Sequence, residues 1–270
     1  MVTPAPLVDS HCHLAFSAFD ADRPDVVQRA RDAGIAGCVV VSVDAPSARQ
    51  ALAVAERWPG WAHPTAGIHP TEGAVLDERH FPEVLALLDS GRFHAVGESG
   101  LDAYHDRSTL PAQVRSLHRH VRAALDRSLP IILHCRDAFA ELAAELSAYR
   151  GAPLAGVLHC YTGTARDLPP LLEAGLHIGV GGIATFKGRD DLRAAVRDVP
   201  LERLLLETDA PWLAPQPVRG RRNEPAFVAH VAEGLARDRG VPLAALAAAT
   251  TANADALFRL GLSATPPRPA

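Results

Sequence analysis

The sequence of 270 residues predicts an α/β protein that folds as a single (β/α)8 TIM barrel. Eight short runs rich in Val, Ile, Leu and Ala recur along the chain, and each is bounded by turn residues and followed by helical periodicity. The starts of successive runs lie 21 to 37 residues apart, which is the length that a strand, a helix and two loops require. Eight such units in a chain of this length predict one closed barrel.

The predicted strands are these eight apolar runs. They are Leu7 to His13, Ala36 to Val43, Ala62 to His69, Phe93 to Ser99, Pro130 to Cys135, Ala155 to Cys160, Leu176 to Gly181 and Arg203 to Asp209. An open doubly wound sheet is the alternative, but such a sheet would carry a Gly-rich nucleotide-binding turn after its first strand. No such turn follows His13.

Helices are predicted between and after the strands from their periodicity and their boundary residues. They are Asp22 to Ala33, Ala45 to Trp58, Ser108 to Ser128, a helix near Glu224 to Asp238, Pro242 to Thr250 and Ala252 to Leu260. Pro24 and Gly34 mark the two ends of the first of them. The domain is expected to span residues 1–260, and residues 261–270 are expected to form a flexible tail.

Composition and charge limit the class of protein. With 48% apolar residues, 21% charged residues and a formal net charge of −4, the chain is neither disordered nor fibrous by composition. Its charge gives no global basic surface, so a polyanion would have to bind a local patch. The sequence has no signal-peptide pattern and no run of 18 apolar residues, so a cytoplasmic protein without a membrane partner is expected. It is expected to be a monomer.

The four cysteines, Cys12, Cys38, Cys135 and Cys160, form no C-x-x-C pair and are too few for a disulfide scaffold. Side chains of a strand alternate between its two faces, which directs Cys12, Cys135 and Cys160 toward the helix layer. The cysteines are therefore expected to be reduced and buried, and a thiolate zinc site is excluded.

Side chains that bind metals stand at the C-terminal ends of most predicted strands, where barrel enzymes place their sites. Six of them are His11, His13, Glu98, His134, His159 and Asp209. A single residue of this kind could be a helix cap or a hydrogen-bonded core residue. Six of them at one end of a barrel are better explained by bound cations, because charged side chains that point inward must be compensated. Imidazole and carboxylate ligands suit Mg, Mn, Zn, Ni or Fe, and a bridging carboxylate allows two ions. The sequence predicts a binuclear metal site.

The same residues lie in motifs that resemble those of the TatD family. The motifs are D-S-H-C-H-L (9–14), G-I-H-P (67–70), G-E-S-G-L-D (97–102), H-C-R-D-A (134–138), H-C-Y-T-G (159–163), G-G-I-A-T-F-K (181–187), L-L-E-T-D-A-P-W-L (205–213), R-G-x-x-N-E-P (219–225) and T-T-x-N-A-x-x-L-F (250–258). This family consists of metal-dependent deoxyribonuclease-type hydrolases on a TIM barrel, within the wider amidohydrolase group. The matches occur in order and span nearly the whole chain.

The resemblance implies a role for each of the six residues. It assigns His11, His13 and Asp209 to one divalent ion, His134 and His159 to a second, and Glu98 to both as a bridge. It also implies that Asp209 accepts the proton of the attacking water. Lys187 is the only lysine of the chain and follows the seventh strand, so a carboxylated lysine on a central strand does not compete with Glu98 as the bridge.

Two positions depart from the family motifs. Ala15 stands where the first motif usually continues to a second Asp, and Ser99 stands where the fourth-strand motif usually has Ile, Val or Thr. Neither position is a predicted ligand. The metal site is therefore expected to be intact, and any effect is expected in contacts around Ala15.

Substrate contacts are expected in the loops that follow the strands. The candidates are His69, Arg136, Tyr161, Phe186 and Arg221, with Arg219, Arg222, Tyr104 and Trp212 as further ones. The cations would contact phosphates and the aromatic rings would stack on bases. For each residue the alternative is ordinary packing in its loop.

The favoured function is a metal-dependent phosphodiesterase that cleaves single-stranded DNA from its 3′ end, in DNA repair or degradation, by two-metal activation of water. One alternative keeps the metals but hydrolyses an ester or amide, for example as an aminoacyl-tRNA deacylase. The sequence separates these two poorly, because both substrates are polyanions and both transition states favour two cations. A non-catalytic metal-binding or scaffold protein is disfavoured, since all six ligands are present.

Overall fold

The computed structural model describes residues 6–75 and 80–262 and contains eight parallel strands in sequence order. They are β1 (Leu7–Cys12), β2 (Ile35–Val40), β3 (Ala62–Ala66), β4 (Ala95–Asp102), β5 (Ile131–Arg136), β6 (Gly156–Leu158), β7 (Leu176–Val180) and β8 (Leu204–Leu206). A parallel bridge between Cys12 and Ala210 brings the loop after β8 back to β1. The predicted (β/α)8 barrel is confirmed. Residues 1–5 of the predicted domain and residues 263–270 of the predicted tail lie outside the described residues.

Helices alternate with the strands and cover the outside of the barrel. Those among the described residues are α1 (Arg23–Asp32), α2 (Ala45–Arg57), α3 (Phe81–Leu88), α4 (Leu110–Arg127), α5 (Phe139–Ser147), α6 (Leu168–Glu173), α7 (Asp190–Arg197), α8 (Val228–Arg239) and α9 (Leu243–Phe258). None of them is by itself long and apolar enough to cross a membrane. One sharply bent pair, Pro225–Arg239 with Leu243–Phe258, reaches that length and composition when its members are taken together.

The prediction of two helices, Pro242 to Thr250 and Ala252 to Leu260, is wrong, because these residues form the single helix α9. Threonine and asparagine side chains often compete for main-chain hydrogen bonds and end helices. Here the Thr250 hydroxyl donates back to the carbonyl of Leu246 in the same helix. The Asn253 amide instead donates to main-chain carbonyls near the start of β8. Neither side chain interrupts the main chain, so the helix continues.

Alternate strand residues divide between two apolar cores. Ile132 and Leu205 belong to a core inside the barrel, together with Val8, Val39, Val41, Ala95 and Val157. Their sequence neighbours belong to the larger core between the sheet and the helices. Phe258 of α9 packs on the inner core, and its carbonyl lies 2.9 Å from the His94 ring just before β4. Helix α9 therefore closes the amino-terminal end of the barrel and leaves the carboxyl-terminal end open.

All four cysteines are free thiols, and Cys12, Cys38 and Cys135 are buried as predicted. Cys160 is only partly buried, which corrects the prediction for that residue. Strand β6 ends at Leu158, and Cys160 has a φ of 45°, so the alternation of strand faces does not extend to it. Its side chain reaches the cavity at the open end of the barrel instead.

His120 of α4 connects the helix layer to the loop after β3. It is fully buried, with Nδ1 2.7 Å from the Ser116 carbonyl oxygen and Nε2 3.0 Å from the Ile68 nitrogen. A carbonyl oxygen only accepts, so Nδ1 carries the hydrogen and Nε2 accepts from the Ile68 N–H. His120 must be neutral to make both bonds. These bonds fix the residue that precedes His69.

We expect His120 to make the protein sensitive to acid. Burial lowers the pKa of His120 to about 4 in the folded protein, against 6.5 for an ordinary histidine. Between these values His120 takes up its proton in the unfolded chain but not in the folded protein. The contribution of neutral His120 to the free energy of unfolding is therefore complete above pH 6.5 and falls by about 3 kcal/mol as the pH is lowered to 4. His120→Gln should lose less stability over this range in urea unfolding, whereas His230→Gln, at a partly exposed position of α8, should match the wild type. Equal pH slopes for His120→Gln and wild type would contradict the assignment.

Candidate metal centre

A cavity of about 980 Å³ opens at the carboxyl-terminal ends of the strands. Five of the six predicted ligands line it: His13, Glu98, His134, His159 and Asp209. The sixth, His11, is fully buried and contacts this group from inside the barrel. The structure therefore brings all six predicted residues together at one site.

The first donor group consists of His11, His13 and Asp209, with one oxygen of Glu98. His11 Nε2 lies 3.2 Å from His13 Nε2 and 3.3 Å from Glu98 Oε2. Asp209 Oδ1 lies 3.5 Å from His13 Nε2 and 3.8 Å from His11 Nε2. Ligands about 2.1 Å from one ion are themselves about 3.0 to 3.5 Å apart. The spacing of the four atoms thus fits a common cation.

The second donor group consists of His134, His159 and His69, with the other oxygen of Glu98. Glu98 Oε1 lies 2.7 Å from His159 Nε2 and 3.3 Å from His134 Nδ1. The His134 and His159 nitrogens are 3.3 Å apart. His69, predicted as a substrate contact, places Nε2 3.4 Å from Glu98 Oε1. Each oxygen of Glu98 thus faces a different donor group, as a bridging carboxylate requires.

The buried carboxylate of Glu98 is not satisfied by hydrogen bonds. Its side chain is 2% exposed, and Oε1 has no hydrogen bond of acceptable geometry, despite three ring nitrogens within 3.4 Å. An unsatisfied buried oxygen among nitrogen atoms requires a further partner. Imidazole nitrogens and carboxylate oxygens are the donors that Zn, Mn, Ni and similar divalent ions take. The residues at this site therefore fit divalent cations.

The carboxylates and histidines of the site shift one another's pKa values. Burial raises the pKa of Glu98, but the surrounding histidines outweigh burial and hold that pKa well below its ordinary value. Burial lowers the pKa of His159, but Glu98 and Glu207 outweigh burial and hold it well above its ordinary value. Glu98 is therefore ionised at neutral pH, and a cation that binds here displaces protons from histidine.

Two glycines place the Glu98 carboxylate in the barrel mouth. Gly97 has a φ of 138° and Gly100 a φ of 144°, which are conformations that other residues rarely adopt. A Cβ on Gly97 would lie 2.6 Å from the Ile132 carbonyl oxygen, and a Cβ on Gly100 would collide with the carbonyl of His134. The register of β4 against β5 shifts at this point. The G-E-S-G sequence therefore permits a bulge, and β4 continues past its predicted end at Ser99 to Asp102.

Buried residues around β8 hold Asp209. It has a φ of 56°, in the left-handed region, and its N–H donates to the His11 carbonyl over 2.9 Å. The carboxylate of Asp9 accepts hydrogen bonds from the Thr208 N–H at 2.9 Å and from its hydroxyl at 2.6 Å. The amide of Asn223 donates to the carbonyls of Thr208 and Trp212. The sequence analysis did not assign roles to Asp9 and Asn223, although both lie in motifs quoted there.

Two further buried carboxylates, also missed, stand behind the second donor group. Asp102 Oδ2 lies 3.1 Å from His134 Nε2. Glu207 Oε1 lies 3.5 Å from His159 Nδ1 and accepts a hydrogen bond from the Cys160 N–H. A carboxylate on the far nitrogen orients a ligating histidine and makes it a stronger donor. Both carboxylates lie in motifs quoted above: Asp102 ends G-E-S-G-L-D, and Glu207 stands two residues before Asp209 in L-L-E-T-D-A-P-W-L.

The predicted substrate contacts divide into two sets. His69 and Arg136 line the cavity, as do the further candidates Tyr104 and Trp212.

The remaining candidates are placed away from the cavity lining. Tyr161 is buried, and its hydroxyl donates to the carbonyl of Thr164 within its own loop. Phe186 lies under the guanidinium of Arg219, 3.6 Å from the ring centre. Arg221 lies over Phe227 and Arg222 pairs with Asp22. Packing in the loop, the alternative weighed for each, accounts for these contacts.

A closed parallel barrel with histidines and carboxylates converging at its carboxyl-terminal end defines a metal-dependent hydrolase of the TIM-barrel class. The chain belongs to the TatD family, since residues 8–259 match the family described as TatD related DNase.

Relatives of known name or structure agree with this assignment. A protein of Erwinia amylovora named "3′-5′ ssDNA/RNA exonuclease TatD" is 38% identical over 259 residues, covering 94% of this chain and 100% of the relative. A Bacillus subtilis protein named "Uncharacterized metal-dependent hydrolase YabD" is 33% identical, covering 94% and 99%. The crystal structure of YjjV, a TatD homologue from Escherichia coli K12, superposes with a TM-score of 0.89 at 30% identity, covering 94% and 98%.

Proposed function

We propose that the protein is an exonuclease that removes nucleotides from the 3′ end of single-stranded DNA with two divalent cations. The observation that carries this proposal is Glu98, whose two oxygens face two separate donor groups. The exonuclease named above, 38% identical over nearly the whole of both chains, supports the choice of bond and substrate.

The two donor groups supply the ligands for the cations. His11, His13 and Asp209 would hold one ion, His134 and His159 would hold the other, with His69 of the same donor group beside them, and Glu98 would be shared by both. Mg, Mn, Zn and Ni are compatible with this set. When bound, two such cations lower the pKa of water and neutralise the charge that develops on the phosphate.

Asp209 accepts the proton of the attacking water. Its side chain is 13% exposed, on the cavity side. Burial raises the pKa of Asp209, but the hydrogen bond with His13 and the charges of the neighbouring histidines outweigh burial and hold it below its ordinary value. Asp209 is therefore ionised at neutral pH and able to act as a general base.

Arg136 and His69 hold the phosphodiester. Both line the cavity: His69 belongs to the second donor group, and Arg136 lies two residues after His134 of that group. A guanidinium donates paired hydrogen bonds to phosphate oxygens. Such a contact needs only one cation at the site and no basic surface over the whole protein, which agrees with the net charge of −4.

Replacing the carboxylate behind His134 is expected to weaken metal binding. Asp102→Asn keeps an oxygen for the N–H groups of Tyr104 and His105 but places an amide where Oδ2 faces His134. We expect the affinity for one of two ions to fall about 10- to 100-fold, measured by calorimetric titration of the metal-stripped protein with Mn²⁺. Asp126→Asn, on the exposed surface of α4, is the control. Unchanged affinity for both ions would refute the role of Asp102.

A side-by-side turnover assay tests the proposed function. Metal-stripped protein is resupplied with Mg, Mn or Zn and incubated with 5′-labelled single-stranded DNA or with aminoacyl-tRNA, with Glu98→Ala as control. We expect stepwise shortening of the DNA from its 3′ end, dependent on metal and lost in the control. Deacylation without DNA shortening would replace the proposal by ester hydrolysis, and inactivity on DNA with every metal would overturn it.

A further inference from the structure

Exposed aromatic surface is concentrated at the mouth of the metal centre. Among the described residues three large apolar side chains are exposed, namely Tyr104 (59%), Trp212 (49%) and Leu243 (41%). Tyr104 and Trp212 line the cavity, whereas Leu243 begins α9 and is not part of its wall. Exposed aromatic rings that line a cavity offer flat faces on which a ligand can stack.

The two rings stand on opposite sides of the opening. Tyr104 follows β4 and Trp212 follows β8, and these strands are four apart in a ring of eight. The Trp212 ring contacts His13 of the first donor group, with 5.2 Å between ring centres. The Tyr104 ring lies 3.6 Å below the guanidinium of Arg136, two residues after His134 of the second group. The bridging carboxylate therefore lies between them.

Both rings are carried by a fixed main chain. The Trp212 N–H donates to the Asp209 carbonyl over 3.0 Å, and its carbonyl accepts from the buried Asn223 amide over 2.6 Å. The Tyr104 N–H donates to the buried Asp102 carboxylate over 2.9 Å. The indole meets His13 and Phe16 at 67° and 83°, so neither of these rings covers it in parallel. Aromatic side chains have only two rotatable bonds, so rings on a fixed main chain lose little entropy when a flat ligand stacks on them.

We propose that Trp212 and Tyr104 each bind one of the two bases that flank the phosphodiester to be cleaved. This subsite deepens the nuclease function proposed above and rests on it. Paired and stacked bases of a duplex offer no free face, so the two rings select single strands, and stacking accepts every base. Arg136, stacked on Tyr104, presents its guanidinium edge to the phosphate between the bases.

Tryptophan fluorescence reports on the first ring. Of the three tryptophans, Trp61 is buried, Trp58 is partly buried and Trp212 is exposed. The full-length protein with Mg²⁺ is titrated with an oligothymidylate whose 3′-terminal linkages are phosphorothioates, which slows hydrolysis. We expect the single strand to quench the wild type and not Trp212→Phe, which keeps a stacking ring but lacks the reporter. The blunt duplex of the same sequence should not quench. Equal quenching of Trp212→Phe and wild type would overturn the assignment of Trp212.

A coupling experiment tests both rings together. Removal of the two 3′-terminal bases from the oligonucleotide should weaken binding to the wild type about tenfold or more, as measured by fluorescence anisotropy of a 5′ label. The Trp212→Ala, Tyr104→Ala double variant should bind the oligonucleotide with and without these two bases equally weakly. Leu243→Ala should behave as the wild type. The Trp212→Phe, Tyr104→Phe variant should regain the dependence on the bases, which excludes a folding defect as the cause.

The outcomes separate this subsite from the nuclease proposal. Equal effects of base removal on wild type and double variant, or no effect on either, would overturn the subsite even in a protein that shortens DNA. Coupling in a protein that hydrolyses no DNA would support the subsite and overturn the nuclease function.

Discussion

Glu98→Gln is expected to lower kcat/KM on single-stranded DNA by about 10³-fold or more. Glutamine keeps the shape of the side chain but removes its charge, and only one of its two polar atoms remains an acceptor. Since the two oxygens of Glu98 face different donor groups, one group would lose its shared ligand, and both would lose the negative charge proposed to hold cations beside five histidines. Elemental analysis of the purified variant should find fewer than two ions per chain.

Glu72→Gln is the matched control for this variant. Glu72 also lines the cavity, but its carboxylate is not one of the clustered metal-ligand atoms in the described part of the chain. Its main-chain N–H donates to the His69 carbonyl over 3.0 Å, a bond that glutamine keeps. We expect it to retain both ions and its activity within a few-fold of the wild type. If Glu98→Gln retained two ions and wild-type turnover, Glu98 would not be the bridge.

Asp209→Asn is expected to lower kcat by about 10²- to 10⁴-fold, the usual contribution of a general base, and to reduce metal binding less. Asparagine keeps an oxygen toward His13 but does not accept a proton at neutral pH. Asp137→Asn is the control, since Asp137 lines the same cavity and has a φ of 55°, a conformation that asparagine tolerates as well. Single-turnover rates and Mn²⁺ titrations separate the two effects. Activity of Asp209→Asn within tenfold of the wild type would show that another group accepts the proton.

The barrel was predictable because each strand is a local apolar run with a period that repeats along the chain. The ends of the elements were less predictable, because contacts distant in sequence determine them. Strand β4 continues to Asp102 because two glycines allow it to bulge against β5. Helix α9 passes through Thr250 and Asn253 because the partner of Asn253 lies about fifty residues earlier in the chain.

The six predicted donor residues were singled out by their positions at strand ends, and the structure places all six within one site, while their role as metal ligands stays a prediction. The carboxylates that support them were not found, because their partners are remote: Asp9 and Thr208 are 199 positions apart, and Asp102 and His134 are 32 apart. Strand parity failed at Cys160, where the strand has already ended. Loop conformation, which the sequence does not specify, decides that Trp212 is exposed at the cavity and that Tyr161 is buried.

The positions of bound cations test the central claim of a bridged binuclear centre most directly. Crystals of the full chain soaked in Mn²⁺ and measured at the manganese absorption edge would show each ion by its anomalous signal. We predict two peaks about 3.5–4 Å apart, one within His11, His13 and Asp209 and one beside His134 and His159, both in contact with Glu98. A single peak, or two peaks that do not share Glu98, would contradict the bridged centre.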